Sequence, residues 1–200
     1  MAEALTYDSL VSDVALYAER SDEPFITQIP RFIMLAENRL ASELRGLGYL
    51  RFANFTMEIG QPVYSKPARW RETKDFSILI NGERKFIYLR SNSWCRQYWS
   101  NTATVNVPEY YSDYDYEHFY IVGTPDQAYV AEISYHERPE PLSESNQTNW
   151  TTQYAPQLIL YATLLEAQPF LKLPEKLQEW QAMFERSAQA FAHEQQLRVQ

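Results

Sequence analysis

Three acids at alternate positions, Asp113, Asp115 and Glu117, are the residues whose type and spacing most invite chemistry. Alternate side chains of an extended strand share a face, so the three carboxylates would converge on one surface. Such a surface can take a divalent cation, or run acid/base chemistry of the glycoside-hydrolase kind. The plainer alternative is a solvated strand face opposite Tyr114, Tyr116 and His118. Other reactive types are sparse. None of the histidines, His118, His136 and His193, stands at His-Glu-x-x-His spacing, and each reads as a satisfied structural or surface residue. The single Cys95, close to Trp94 and Tyr98, forms neither an internal disulfide nor a thiolate cluster. It reads as a small buried hydrophobe in a reducing compartment. No phosphate-cradling glycine loop is present, and Ser143 and Ser145 lack a nucleophile-elbow context. No cofactor, metal or enzymatic activity is expected from these residues.

Contact chemistry is better represented. Fifteen Tyr, ten Phe and five Trp accompany a net charge of -8 in 200 residues. Tyr and Trp supply rigid, half-polar contact area. Arg69-Trp70-Arg71 sets an aromatic anchor between two guanidinium groups, an interface chemistry; its rival is a core Trp flanked by solvated arginines. Tyr110, Tyr111, Tyr114 and Tyr116 are interface candidates with sheet packing as the equal rival. Charge is uneven: residues 64–99 hold eight Lys or Arg against three acids, and residues 100–148 hold nine acids against one Arg. The basic segment, Lys66, Arg69, Arg71, Lys74, Arg84, Lys85, Arg90 and Arg96, admits three readings. It contacts phosphates as a nucleic-acid-binding module, meets the acidic segment of a neighbouring copy head to tail, or pairs internally within one sheet. The overall acidity argues against a general nucleic-acid binder.

The elements that position these residues fall into three parts. Residues 1–50 predict two helices, the first over 6–19 with Leu10, Val14 and Tyr17 on its face and Thr6 or Asp8 as cap. The cluster Ser21-Asp22-Glu23-Pro24 ends it. The second carries Ile29, Phe32, Ile33, Ala36, Leu40 and Leu44, with Pro30 in its first turn and Gly46 and Gly48 as the stop. Residues 51–140 predict a β-rich insertion of four to six short strands: 52–59, 75–80, 84–89, 118–122 and 127–136, with Asn81-Gly82 and Gly123-Thr124-Pro125-Asp126 as turns. A short helix is expected over 91–99. Residues 141–200 return to helix after the polar connector 139–149. One helix spans 150–170, and a last one opens at Pro174 with Leu177, Trp180, Phe184 and Phe191 on its face. The fold class expected is α+β, an antiparallel helical bundle with a β-rich antiparallel insertion. The first residues lack a basic and apolar leader, and no apolar run is long enough to span a bilayer, so neither a secretory signal nor a membrane span is expected. Asn54 and Asn146 head glycosylation patterns that are accidental without secretion.

Ordered blocks along nearly the whole chain resemble a known family. They include Tyr7-Asp8-Ser9-Leu10, Ile29-Pro30-Arg31-Phe32-Ile33-Met34-Leu35-Ala36-Glu37-Asn38-Arg39-Leu40 and Lys66-Pro67-Ala68-Arg69-Trp70-Arg71-Glu72-Thr73. Leu89-Arg90-Ser91, Tyr135-His136-Glu137-Arg138-Pro139-Glu140-Pro141-Leu142, Asn146-Gln147-Thr148-Asn149-Trp150 and the segment from Ala155-Pro156-Gln157 to Leu165-Glu166-Ala167 continue the match. The family is the head-to-tail adaptors of short-tailed bacteriophages, also described as connector or tail tubular protein A-like proteins. The resemblance implies a structural protein without catalytic residues. It implies neighbouring copies in a ring, usually twelve-membered, between the portal protein and the tail nozzle or tail tube protein. Viral DNA would pass through that ring without sequence-specific binding. It also implies a location in the virion neck or tail, after assembly in the host cytoplasm. In this family the C-terminal region commonly reaches the portal, which points to the tail from His193 and adds Leu197 and Arg198 to the interface candidates. That tail, lacking the apolar period beyond Phe191, is expected to be loose until docked. The alternatives remain a tail-associated hydrolase using Asp113, Asp115 and Glu117, or a nucleic-acid-binding module over 64–99.

Overall fold

The computed structural model describes residues 5–43 and 49–199, with side chains through 194. The chain divides into a helical unit, Met1–Tyr49 with Arg138–Gln200, and a sheet unit, Leu50–Glu137. Together they make an α+β protein.

In the helical unit, α1 (Tyr7–Tyr17) starts at Thr6, whose hydroxyl accepts from the Ser9 amide at 3.1 Å while the Thr6 amide donates to the Ser9 hydroxyl at 2.8 Å. This reciprocal cap satisfies two amide donors at the helix start. Leu10 and Val14 are fully buried, but Tyr17 stays 45 % exposed, outside the face expected for it. Asp22 and Pro24, expected only to end α1, also open a short helix, α2 (Glu23–Ile26), that buries Phe25. Helix α3 (Ile29–Glu43) takes Pro30 in its first turn and buries Ile29, Phe32, Ile33, Ala36 and Leu40. Leu44, Gly46 and Gly48 lie outside the described residues.

The helix expected over 150–170 is two helices, α4 in the sheet unit being described below: α5 (Trp150–Tyr154) and α6 (Pro156–Leu171). Pro156 cannot continue a helix from Ala155 but suits a first position, so the chain restarts there. Helix α6 is apolar nearly all round and contacts α1, α3, α5 and α7 (Pro174–Val199), which makes it the centre of the bundle. On α7, Trp180, Phe184 and Phe191 are buried, whereas Leu177, expected on the same face, is 38 % exposed. The α7 backbone stays helical to Val199, past the point where its apolar period ends.

The sheet unit contains β1 (Leu50–Met57), β2 (Val63–Ser65), β3 (Trp70–Ile80), β4 (Glu83–Phe86), β5 (Tyr88–Leu89), α4 (Asn92–Tyr98), β6 (Val105–Asn106), β7 (Tyr110–Asp113), β8 (His118–Val122), β9 (Thr124–Pro125) and β10 (Tyr129–Glu137). One sheet runs β1-β10-β3-β4, a second β2-β8-β7-β5, and β6 pairs with β9. Phe76, Ile78, Tyr129 and Ile133 of the first sheet share a core with Tyr64, Tyr111, Phe119 and Ile121 of the second. Asn81 and Gly82 both have positive φ, 53° and 84°, and close the β3–β4 hairpin as their sequence predicts.

The insertion departs from the single antiparallel sheet expected: its strands divide among three sheets, with two parallel pairings. The strand expected over 84–89 breaks at Ile87, whose amide donates to Phe76 at 2.9 Å, while the next amide, Tyr88, donates to Glu109 at 3.0 Å. The chain thereby changes sheets, and β5 pairs parallel to β7. The turn expected at 123–126 instead includes β9, parallel to β6. Gly123 has φ +76°, and a Cβ there would stand 2.5 Å from the Val107 carbonyl oxygen, so this crossing requires glycine.

Candidate functional site

The acidic triplet does not form a shared face. β7 ends at Asp113, and the chain turns before the alternation can continue. The Asp113 carboxylate meets Lys66 Nζ at 2.8 Å. The Asp115 carboxylate accepts from the Glu117 and His118 amides, both at 2.7 Å, and meets His118 Nδ1 at 2.9 Å, closing an Asx-type turn. Partial desolvation pushes the Asp115 carboxyl up, but these hydrogen bonds outweigh it and hold the group below the ordinary range. The hydrolase alternative loses its geometric support, because one acid is an ion-pair partner and the next is a turn cap. Among the described residues, no group of three or more His, Cys, Asp or Glu side chains is gathered to hold a metal ion. Cys95 is fully buried, and burial pushes its thiol up, away from the reactive thiolate.

Lys66 shows what the Asp113 carboxylate does. Its side chain is 4 % exposed, with the ammonium 3.8 Å from the Trp70 ring centroid and 5.2 Å from that of Phe119. Nζ also donates to the Asp115 carbonyl at 2.9 Å. A cation this enclosed needs both its carboxylate and its ring faces. Trp70 is thus half-buried packing of the sheet core, edge-on to Phe119 at 5.7 Å, with its indole N–H donating to Thr73 at 3.0 Å. On its flank, Arg69 pairs with Glu137 at 2.9 Å, and Glu137 also takes Arg51 at 3.1 Å. Arg71 is half-buried.

Part of the charge asymmetry is consumed inside the sheet unit. Lys66, Arg69, Arg84 and Lys85 reach Asp113, Glu137, Glu132 and Glu109 respectively. At least four of the eight basic side chains of 64–99 therefore meet acids of 100–148.

The tyrosines separate by position. Tyr111 is 4 % exposed in the core, where burial pushes its hydroxyl up to about 12, so it is removed from the unit's surface. Tyr110 is half-buried beneath Trp94 and Tyr98, at 5.0 and 5.8 Å. Tyr114 lies on Tyr120, at 6.0 Å between centroids, with 43 % of its surface exposed. Tyr116 is 70 % exposed at the tip of the β7–β8 hairpin. The side chains of Leu197 and Arg198 lie outside the described residues.

Surfaces not singled out from sequence also emerge. Phe52, Val130, Leu79 and Phe86 lie on the outer face of the first sheet at 65, 49, 40 and 44 % exposure. The strand register sets Val130 directly across from Leu79, with Phe86 opposite Ser77 two residues along β3, whereas Phe52 lies opposite Ser134, four residues along β10 from Val130. Alternation marks each as facing opposite the core, and register brings Val130 and Leu79 together. In the helical unit, a cleft of about 240 Å³ opens beside α6 and α7, lined by Tyr154, Pro156, Leu158, Ala190 and Phe191, with Glu194 at its rim.

Such a chain presents contact surfaces: exposed apolar and aromatic side chains on a scaffold whose charges are partly paired internally. The chain belongs to the SU10 adaptor protein family, which it matches over residues 5–200. It is thereby a member of a family of bacteriophage structural adaptors. No curated protein matches it. No helix among the described residues is long and apolar enough to cross a membrane.

Proposed function

We propose that this protein forms a ring in the neck of a short-tailed phage virion, joining the portal to the tail nozzle or tube and leaving a passage for DNA. The observation that carries the reading is the family match over residues 5–200. The sheet unit supports it physically. Lys66, Arg69, Arg84 and Lys85, which would otherwise be open to phosphate, are tied to acids, while aromatic and apolar groups remain outward. A conduit must not hold the polymer that slides through it, whereas a ring needs complementary faces between copies.

The end of α7 is the portal-facing segment in this reading. Beyond Phe191 the sequence loses the apolar period of α7, so deleting its last residues is expected to spare folding. The test is co-sedimentation of purified protein with its cognate portal at several salt concentrations. Full-length protein is expected to bind in ring stoichiometry. Deleting Glu194 to Gln200 is expected to preserve the unfolding temperature and weaken docking. Undiminished docking of the truncated chain would place the attachment site elsewhere, and a full-length chain that does not bind the portal would remove the reading.

A further inference from the structure

Two features of the sheet unit are complementary in both charge and ring chemistry. The first is a shelf on α4 and β5. Trp94 and Tyr98 are stacked at 4.6 Å with an 11° interplanar angle, and both stand edge-on to Tyr110. The Arg90 guanidinium lies 5.7 Å from the Trp94 centroid and 5.3 Å from that of Tyr110. Tyr98 is 55 % exposed, and Tyr88, beside Tyr110 in the strand register, is 60 % exposed. Unlike Lys66, Arg69, Arg84 and Lys85, Arg90 has no carboxylate partner among the described residues; its guanidinium donates to its own neighbour, the Leu89 carbonyl, at 3.4 Å.

The second feature is the β7–β8 tip. Tyr116 projects from it with 70 % exposure. Glu117 is exposed, and its carboxylate has no ion-pair partner among the described residues. Asp113 and Asp115 are already engaged, so Glu117 is the acid of this tip left for an outside cation.

We propose that the Tyr116–Glu117 tip of one copy docks on the Arg90–Trp94–Tyr98 shelf of the next. Glu117 supplies the carboxylate that Arg90 lacks, and the Tyr116 ring adds to the aromatic stack. Tip and shelf are different patches of one unit, so in the ring reading the contact is heterologous and repeats from copy to copy. This inference rests on the ring reading above and names the contact between neighbours.

Charge exchange tests it with a distinctive pattern. In Arg90→Glu protein an acid tip faces an acid shelf, and in Glu117→Arg protein a basic tip faces a basic shelf. Each variant alone is expected to self-associate about tenfold more weakly than the unmodified chain in sedimentation experiments, the scale of reversing one interfacial charge pair. An equimolar mixture of the two, in which every neighbouring pair is again opposite in charge, is expected to recover association, as is the double variant. Both positions are exposed, and an unchanged circular dichroism spectrum checks that each variant folds. A photoreactive residue at position 116 of the full chain is expected to cross-link to residues 88–98 of another copy.

Adducts elsewhere, a chain that stays monomeric at every concentration reached, or mixtures no better than the single variants overturn the contact. Full occupancy of the portal by both single variants also overturns it while leaving the adaptor reading intact. An adduct between tip and shelf without any portal binding would do the reverse.

Discussion

Glu37 is a carboxylate that α3 carries into the helical unit, 8 % exposed. It accepts from the Leu142 amide at 3.1 Å and from the Asn149 side-chain amide at 2.7 Å. Asn149 in turn caps α5 through the Thr151 and Thr152 amides. The connector is further fixed by Gln147, whose carbonyl accepts from the Tyr7 amide at 2.7 Å. What reads in sequence as a polar linker is a strap, and Glu37 is its clasp. Nothing local announces this, because the partners of Glu37 stand 105 and 112 residues further on.

Burial pushes the Glu37 carboxyl up to about 7, and its two hydrogen bonds only partly oppose this. An acid whose folded pKa is raised binds more protons folded than unfolded, so stability falls as pH rises from about 4.5 to about 7. The full span corresponds to about 3 kcal/mol at roughly 1.4 kcal/mol per pH unit. Glu37→Gln keeps an acceptor oxygen for both donors and removes the titration. Its unfolding temperature is expected to decline less between pH 5 and pH 8 than that of the unmodified protein. Parallel pH profiles for the two proteins would show that Glu37 is not the group being titrated.

At the scale of elements, the last helix separates packing from pattern. Leu177, Trp180, Phe184 and Phe191 share a helical period, but only the last three are buried. Leu177 lies in the first turns of α7, where its face meets solvent. Trp180→Ala is therefore expected to cost about 3–5 kcal/mol, and Leu177→Ala less than about 1 kcal/mol. Denaturant unfolding of the two variants reads the difference directly, and equal losses would contradict this placement of the helix.

Elements marked by local chemistry were legible. Thr6 as a cap, Pro30 in a first turn, Pro174 at a helix start and Asn81-Gly82 in a hairpin each act within a few residues of chain. Elements settled by distant partners were not. β5 and β9 exist because parallel partners from elsewhere in the unit accept them. Asp115 leaves the alternation because its own side chain satisfies two amides of the turn, a competition that period alone does not reveal.

For the whole molecule, the α+β class followed from the change of hydrophobic period between segments. The candidate surface followed less well. Composition drew attention to aromatic contact chemistry, but it could not separate rings that build the core from rings that leave it. Trp70 and Tyr111 went to packing, while Tyr114 and Tyr116 stayed outward. Likewise, opposite charges in adjacent segments permitted pairing within a copy or between copies. The register of the sheets assigned Lys66, Arg69, Arg84 and Lys85 to the former.

The adaptor account is tested most directly by imaging purified protein mixed with its cognate portal by electron microscopy. A closed ring of copies coaxial with the portal is expected, with the end of α7 against the portal and an open central passage. Portal particles without added density, or copies bound singly at scattered sites with no ring, would contradict it.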